Sequence, residues 1–395
     1  MAEWRRRTIG ELIASGALTM SDGYRTKRGE LGQPGFRIIR VADVGDGTVA
    51  LDSPDFVSES YRSQIGAKLG EAGDILLTTK GTVGRVAVLP AIDEPVVYSP
   101  QLCYFRVVSG GPLDRDYLRF WFRSAEFWSQ ARDRMNNTDM AAYVNLADVR
   151  SLQITLPPTG EQRAIAEVLG ALDDKIAANT RLATTADGLA SALYSSILTH
   201  GTQASLTTLA DFVNGRAFTK DASGTGRVVV RIAELNSGIG GSTVYSDADV
   251  ADQYLARPGD ILFAWSGSLT LHRWFRSEAI VNQHIFKVVP RSGWPAWLVW
   301  HAIAGRLDYF KGVAADKATT MGHIQRHHLD EAVPVPPRDA VTRHDIEMAT
   351  LRNRSLSAEM ENLALAATRD ALLPALTSGA LRVRDALDAV KETAS

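Results

Sequence analysis

The chain has 395 residues, 45% of them hydrophobic and 22% charged, with a formal net charge of −2 at pH 7. That length suits two or three domains with separate cores, while the near balance of charge argues against a chain that grips nucleic acid unaided. A single cysteine, Cys103, excludes an internal disulfide and any cysteine-cluster zinc site.

Residues 1–7 carry Arg5, Arg6 and Arg7 with no apolar stretch behind them, so no secretory signal is expected. No apolar run approaches the roughly 18 residues that span a bilayer, and the cytoplasm is the expected compartment. From there the chain says nearly the same thing twice. Thr8-Ile9-Gly10-Glu11-Leu12-Ile13 is echoed by Thr208-Leu209-Ala210-Asp211-Phe212-Val213, a shift of 200. The run from Gly35 to Val44 returns as Gly226 to Leu235, shifted by 191, and Gly73-Asp74-Ile75-Leu76 returns as Gly259-Asp260-Ile261-Leu262, shifted by 186. Phe105-Arg106-Val107-Val108 matches Phe286-Lys287-Val288-Val289 at 181, and Pro157-Pro158 matches Pro336-Pro337 at 179. Offsets that only fall are those of one duplicated unit whose second copy has lost loop residues.

Within each copy, short β-branched and aromatic runs alternate with Gly, Asp and Ser, as in Arg37–Val41, Ile75–Thr79, Val86–Leu89 and Leu102–Val108. They predict strands of a mixed α+β domain. Cys103 falls inside one such run, where a buried inert thiol is expected. A helical stretch follows from Tyr117 to Trp128, matched by Trp297–Ile303, and its aromatic residues read as core packing. Residues 1–158 hold 19 basic and 19 acidic side chains and residues 201–337 hold 13 and 12, but residues 1–40 hold eight basic against four acidic.

The proline pair opens a different pattern. Thr159 is placed to cap a helix, with Gln162 at the capping-box position. Ile165, Leu169, Leu172, Ile176, Asn179, Ala183, Ala186, Ala190, Leu193 and Ile197 then fall at alternating four- and three-residue steps, a heptad seam. The helix predicted to residue 198 is about 58 Å long at 1.5 Å per residue. The second copy places Met348, Leu351, Leu365, Leu372 and Leu376 on the matching seam, interrupted by Ser355, Asn362 and Arg369, and Pro374 is expected to end or kink it. The natural partner of one seam is the other. Paired antiparallel, two such helices would hold two similar heads at a fixed distance related by an internal pseudo-twofold, with Asn179 setting register. Heads so held could meet major grooves about one ~34 Å turn apart. The expected organisation is a domain at 1–158, a long helix at 159–200, a second domain at 201–337, a second helix at 338–380 and a tail at 381–395.

The segment Leu156–Leu182, with Pro157-Pro158, Glu161-Gln162-Arg163, Ile165-Ala166, Leu169, Leu172-Asp173 and Ile176, resembles the central region of type I restriction–modification specificity subunits. The alternation of two recognition domains with two long helices, and the paired Gly-Asp-Ile-Leu signatures, are similar to that family across essentially the whole chain. The second copy departs from it, since Pro336-Pro337 is followed by Arg338-Asp339-Ala340-Val341 without Glu-Gln-Arg. The resemblance implies a non-catalytic subunit that dictates which double-stranded DNA sequence a complex acts upon, each domain reading half of a bipartite target. It implies two methyltransferase subunits carrying S-adenosylmethionine, docked on the helices, and ATP-driven motor–nuclease subunits for restriction. No cofactor is expected on this chain.

The sequence carries no recognisable catalytic motif. Gly81-Thr82-Val83-Gly84 has neither the spacing nor the lysine of a phosphate loop, Gly238-Ile239-Gly240-Gly241 reads as a turn, and Pro157-Pro158 follows Leu156 rather than Asn or Asp. His323, His327 and His328 beside Asp330 are not read as a metal site. Candidate DNA contacts fall in three places. Arg25, Lys27 and Arg28 lie in a polar loop that suits phosphate contact and equally a solvated charge run. Lys80 and Arg85, and Trp265 and Ser266, sit in the turn after Gly-Asp-Ile-Leu, which reads equally as a plain hairpin. Asn136, Asn137 and Thr138, and Lys317, Thr319, Thr320 and His323, precede each exit strand with amides, hydroxyls and cations. A stand-alone DNA-binding regulator and a coiled-coil adaptor remain the alternative readings.

Overall fold

The computed structural model describes residues 4–137, 142–199, 201–316 and 322–381, with 383 and 391. The chain divides into two units, Met1–Asp174 with Ala366–Ser395, and Lys175–Leu365. Each unit therefore takes a portion of both long helices, which run over Thr159–Ile197 and Arg338–Ser378. The tail expected at 381–395 lies almost wholly outside the described residues.

In the first unit an antiparallel sheet orders the strands Leu18–Asp22, Leu102–Val107, Ile75–Thr78 and Val86–Val88. A second sheet orders Phe56–Ser58, Gly35–Ile39 and Val96–Tyr98, the last two parallel. All four residues of Ile75–Thr78 are buried. Leu76 packs with Ile39, Val96 and Tyr98 of the other sheet, so this central strand is covered on both faces and reads as an unbroken apolar run. The aromatic stretch is core: Tyr117, Phe120, Trp121, Phe122 and Phe127 are buried, and the Phe105 and Phe122 rings stand 4.6 Å apart. Cys103 is buried, and burial pushes its thiol up, so it is inert.

The second unit repeats this plan. Its antiparallel sheet runs Ala210–Asn214, Ile285–Pro290, Ile261–Ala264 and Thr270–Arg273. Its other sheet runs Val244–Ser246, Arg227–Val230, Ala279–Val281 and Leu255–Ala256, one strand more than the first copy, and again contains one parallel pair. In each unit a two-stranded ribbon joins entry to exit, Arg5–Thr8 with Gln153–Leu156 and Thr202–Ser205 with Ala332–Val335.

The repeat signatures have structural causes. Gly73 and Gly259 take φ of +91° and +95°. Asp74 is buried and accepts from Tyr98 Oη at 2.8 Å and Arg106 Nε at 2.7 Å, while Asp260 lies 3.1 Å from Lys287 Nζ. The acid of Gly-Asp-Ile-Leu is thus the counter-charge of the cation in Phe-Arg/Lys-Val-Val. One expected match is corrected. Thr8 caps the helix Ile9–Ala14 in a capping box with Glu11, but its counterpart is Ser205, which caps Leu206–Leu209 and accepts from Thr208 N. Ile9 and Leu12 correspond to Leu206 and Leu209, all fully buried, at a shift of 197 rather than 200. The stretch Thr208–Val213 instead leads into the strand Ala210–Asn214.

The long helices pair antiparallel. In the second unit Asn179 Nδ2 donates to Glu361 Oε2 at 2.7 Å, Asn362 Nδ2 to Thr180 Oγ1 at 3.1 Å, and Ser355 Oγ to the Ala183 carbonyl at 3.2 Å. In the first, Arg369 Nη1 donates to Asp173 Oδ1 at 2.8 Å. Ser355, Asn362 and Arg369, which interrupt the apolar seam in sequence, are therefore the residues that bond across it. Of the seam residues, Ile165, Leu169, Leu172, Asn179, Met348, Leu365 and Leu372 are buried, and Ile176, Leu193 and Leu351 are half-buried. Pro374 sits inside the second helix, which ends at Ser378.

The expected capping box at Thr159 is not formed. Thr159 is already helical, and Gln162, fully buried, turns to the domain instead. Its Oε1 accepts from Asp114 N at 2.8 Å, and its Nε2 donates to the carbonyls of Pro112 at 3.0 Å and Pro157 at 2.8 Å. In the second copy buried Val341 takes the place of Gln162. There Arg338 donates to the Gly293 carbonyl at 2.6 Å, with its guanidinium 3.4 Å from the Trp294 ring centroid. Gly293 is the counterpart of Pro112 at a shift of 181. The departure from Glu-Gln-Arg thus exchanges one donor for another on an equivalent carbonyl. Gln162→Ala removes three hydrogen bonds, the one to the Pro157 carbonyl fully buried, and should cost about 1–3 kcal/mol in urea denaturation; a loss below about 0.5 kcal/mol would show that the helix is held without it.

Candidate nucleic-acid interface

Strand register gathers the candidate loops at one end of each antiparallel sheet. In the first unit Asp22 pairs with Cys103, Thr78 with Leu102, and Leu77 with Val86. The segments after Asp22, before Leu102, and between Thr78 and Val86 therefore leave the sheet together. A fourth joins them: Lys80 forms an antiparallel bridge with Tyr143, and Val144 N donates to the Thr79 carbonyl at 3.0 Å. Tyr143 pairs in turn with Asn136, and Ala142 with Asn137. The structure thus brings together the turn carrying Lys80 and the segment carrying Asn136 and Asn137. Thr138 lies outside the described residues.

A groove of about 410 Å³ opens among these loops, lined by Arg25, Lys27, Arg28, Arg40, Ser99 and Gln101 with no carboxylate on its wall. Arg40 pairs with Asp55 at 2.6 Å. Arg25, Lys27 and Arg28 are exposed and have no ion pair among the described residues. Ser99 is 6% exposed, and its buried Oγ has no hydrogen-bond partner. Lys80 is exposed, whereas Arg85 is half-buried and donates to the Val44 carbonyl at 3.3 Å, so it is spent within the fold.

The approach of the first loop to the third depends on glycine. A Cβ at Gly23 would overlap the carbonyl oxygens of Tyr98 and Ser99. Gly215 stands at the same place in the second unit, where a Cβ would overlap the carbonyls of Val281 and Asn282. The loops gather there as well: Asn214 pairs with Phe286, and Ala264 with Ile285 and Thr270. Ser266 bridges to His323, and Ile324 N donates to the Trp265 carbonyl at 3.1 Å. Trp265 is half-buried, its Nε1 donating to Asn214 Oδ1 at 2.9 Å and its ring 5.3 Å from that of His284. Ser266, a candidate contact in sequence, is 3% exposed, because the strand-like bridge turns its side chain inward. Lys317, Thr319 and Thr320 lie outside the described residues.

The His327 and His328 rings lie tilted with centroids 4.0 Å apart, and His328 Nδ1 accepts from Gln325 N at 2.9 Å, capping a short turn. Among the described residues no group of three His, Cys, Asp or Glu side chains is placed to hold a metal, and no helix is long and apolar enough to cross a membrane. Burial pushes His301 down to about 4, holding it neutral against the Tyr194 ring. Gly23, Ser99, Gly215, Asn282 and His284 were not singled out from sequence. Laying the repeat offsets over the loops as well as the strands would have found the matched glycines.

Residues 1–185 match the family model described as the type I restriction modification DNA specificity domain. The first 185 residues are thus similar to that specificity domain. Among curated proteins it is 24% identical over 161 residues to the specificity subunit of type I restriction enzyme MjaVIII from Methanocaldococcus jannaschii. That match spans 40% of this chain but only 37% of the relative's length. The S subunit of a type I restriction–modification system from M. genitalium shares the fold, with a TM-score of 0.58 at 13% identity over 95% of this chain and 96% of that one. The HsdS subunit of Thermoanaerobacter tengcongensis aligns over 96% and 98% at 16% identity, with a TM-score of 0.39. In the first unit Gly23→Ala should cost about 3 kcal/mol or more, because backbone oxygens cannot yield to a methyl. Gly29→Ala, with open space around it, serves as the control in the same thermal melt; equal effects from both would refute the close-approach account.

Proposed function

We propose that the chain is the sequence-specific DNA-recognition subunit of a type I restriction–modification complex, each unit reading one half of a bipartite double-stranded target. The observation that carries this is the repetition, in two units of one chain, of four loops gathered at the same sheet end, in the first around a groove with three unpaired cations. A sheet end built from loops can vary its contacts while the strands beneath keep the fold, and exposed Arg and Lys suit phosphate oxygens.

The paired helices set the spacing between half-targets and dock two methyltransferase subunits. Methylation, with S-adenosylmethionine, and ATP-driven cleavage by motor–nuclease subunits belong to those partners. A net charge of −2 fits this division, since a duplex enclosed by the complex receives much of its phosphate neutralisation from other chains. No membrane is involved.

The test is equilibrium binding of a target duplex by the complex with its methyltransferase subunits over a range of salt. Replacing Arg25, Lys27 and Arg28 together with alanine should weaken binding to all duplexes. It should also flatten the dependence of log K on log salt by roughly 2 to 3 units, about 0.9 per lost phosphate contact. Unchanged slope and affinity would reject the groove as a DNA surface. Full sequence-specific binding by the chain alone would favour a stand-alone regulator, and no binding with or without partners would favour an adaptor.

A further inference from the structure

The segment Asn282-Gln283-His284 occupies in the second unit the place of Ser99-Pro100-Gln101 in the first, a shift of 183. It is clamped by three backbone hydrogen bonds: Asn282 N to the Val230 carbonyl at 3.1 Å, Gln283 N to Arg216 at 2.8 Å, and Trp265 N to the His284 carbonyl at 3.1 Å. Held this way, His284 sits at φ +73°, the one non-glycine residue with positive φ among the described residues. A β-carbon makes that conformation unfavourable, and such strain persists where the surroundings over-determine it, often at ligand sites.

Two polar atoms of the segment are buried without a partner, Asn282 Oδ1 and His284 Nδ1. Buried polar atoms nearly always find a partner, so each exception asks for an explanation. The matched residue of the first unit, Ser99, has the same property. Asn282 and Ser99 are each 6% exposed, each lies behind a glycine that admits a neighbouring loop, and each carries an unpartnered oxygen. The two copies thus place an unpartnered oxygen at one matched position, a hydroxyl in the first and an amide in the second. Nearby groups are already engaged, since Trp265 Nε1 and Asn214 Oδ1 bond each other.

Resting on the DNA-recognition reading, we propose that Asn282 and His284 are the base-discriminating residues of the second unit, with Asn282 selecting an adenine. An amide offers an acceptor and a donor side by side, the complement of the adenine N6–H and N7 edge. The His284 ring nitrogen supplies a second donor or acceptor two residues away. Gln283, exposed between them, stands at the rim.

The test uses the full chain in complex with its methyltransferase subunits. The probes are the duplex whose motif is methylated in vivo and a set in which each base pair of that motif is replaced singly. Asn282→Ala should lose roughly 5- to 150-fold in discrimination at one A·T position, with the salt slope of the parent. His284→Gly should lose discrimination at another position of the same half-target without lowering the unfolding temperature, because glycine takes the positive φ freely. Discrimination equal to the parent's in both variants, or an equal loss of affinity for every duplex, would overturn the proposal. A parent complex that binds none of the duplexes would instead overturn the DNA reading beneath it.

Discussion

A bare Cα at two matched positions is the constraint on which the candidate interface depends. Strand pairing alone brings the loops to one sheet end, but only Gly23 and Gly215 let the first loop lie directly on the carbonyls at 98–99 and 281–282. Tyr24 N then donates to the Tyr98 carbonyl at 2.8 Å, and Gln283 N to the Arg216 carbonyl at 2.8 Å. With the backbone fixed in that way, side chains on the loops are free to differ. They do differ: the first unit presents Tyr24-Arg25-Thr26-Lys27-Arg28, and the second Arg216-Ala217-Phe218-Thr219-Lys220. The two units thus share a backbone frame and differ in loop chemistry.

The same economy appears where each domain meets its helix. Gln162 fastens the first through three hydrogen bonds, and Arg338 fastens the second through one hydrogen bond and a tryptophan face. Along the helices, apolar burial supplies adhesion and polar residues supply register. Asn179 bonded to Glu361 tolerates a slip of the helices poorly, because a shift strands a buried amide. Arg273, 7% exposed, ties the second sheet to both helices through Asp187 at 3.1 Å and Glu359 at 2.9 Å. The antiparallel sheet and both helices are therefore mechanically continuous within the second unit.

Much of this was legible in the amino-acid order because repetition converts weak local signals into strong ones. Gly-Asp-Ile-Leu is unremarkable once; met twice in register with Phe-Arg/Lys-Val-Val, it marks a buried acid and its cation. The heptad seam was readable from spacing, and so was the polar character of its interruptions, though not that Ser355, Asn362 and Arg369 bond across it. What escaped the sequence was side-chain direction and backbone conformation. Thr208 imitates Thr8 in its neighbours but lies beyond the true cap, Ser205. Gln162 has the spacing of a capping box and turns elsewhere. Ser266 looks like a loop hydroxyl and is buried by a bridge to His323. No residue pattern announces that His284 has a positive φ, because that follows from bonds made by residues far away in the chain.

The central claim is that this chain chooses the DNA sequence on which a methyltransferase acts. Modification-sensitive sequencing of the host genome, with the gene intact and with it deleted, tests that most directly. The account predicts that methylation disappears at one bipartite motif and nowhere else, and that the gene restored in trans returns it. Methylation unchanged at every motif, while the partner methyltransferase is expressed and active, would contradict it.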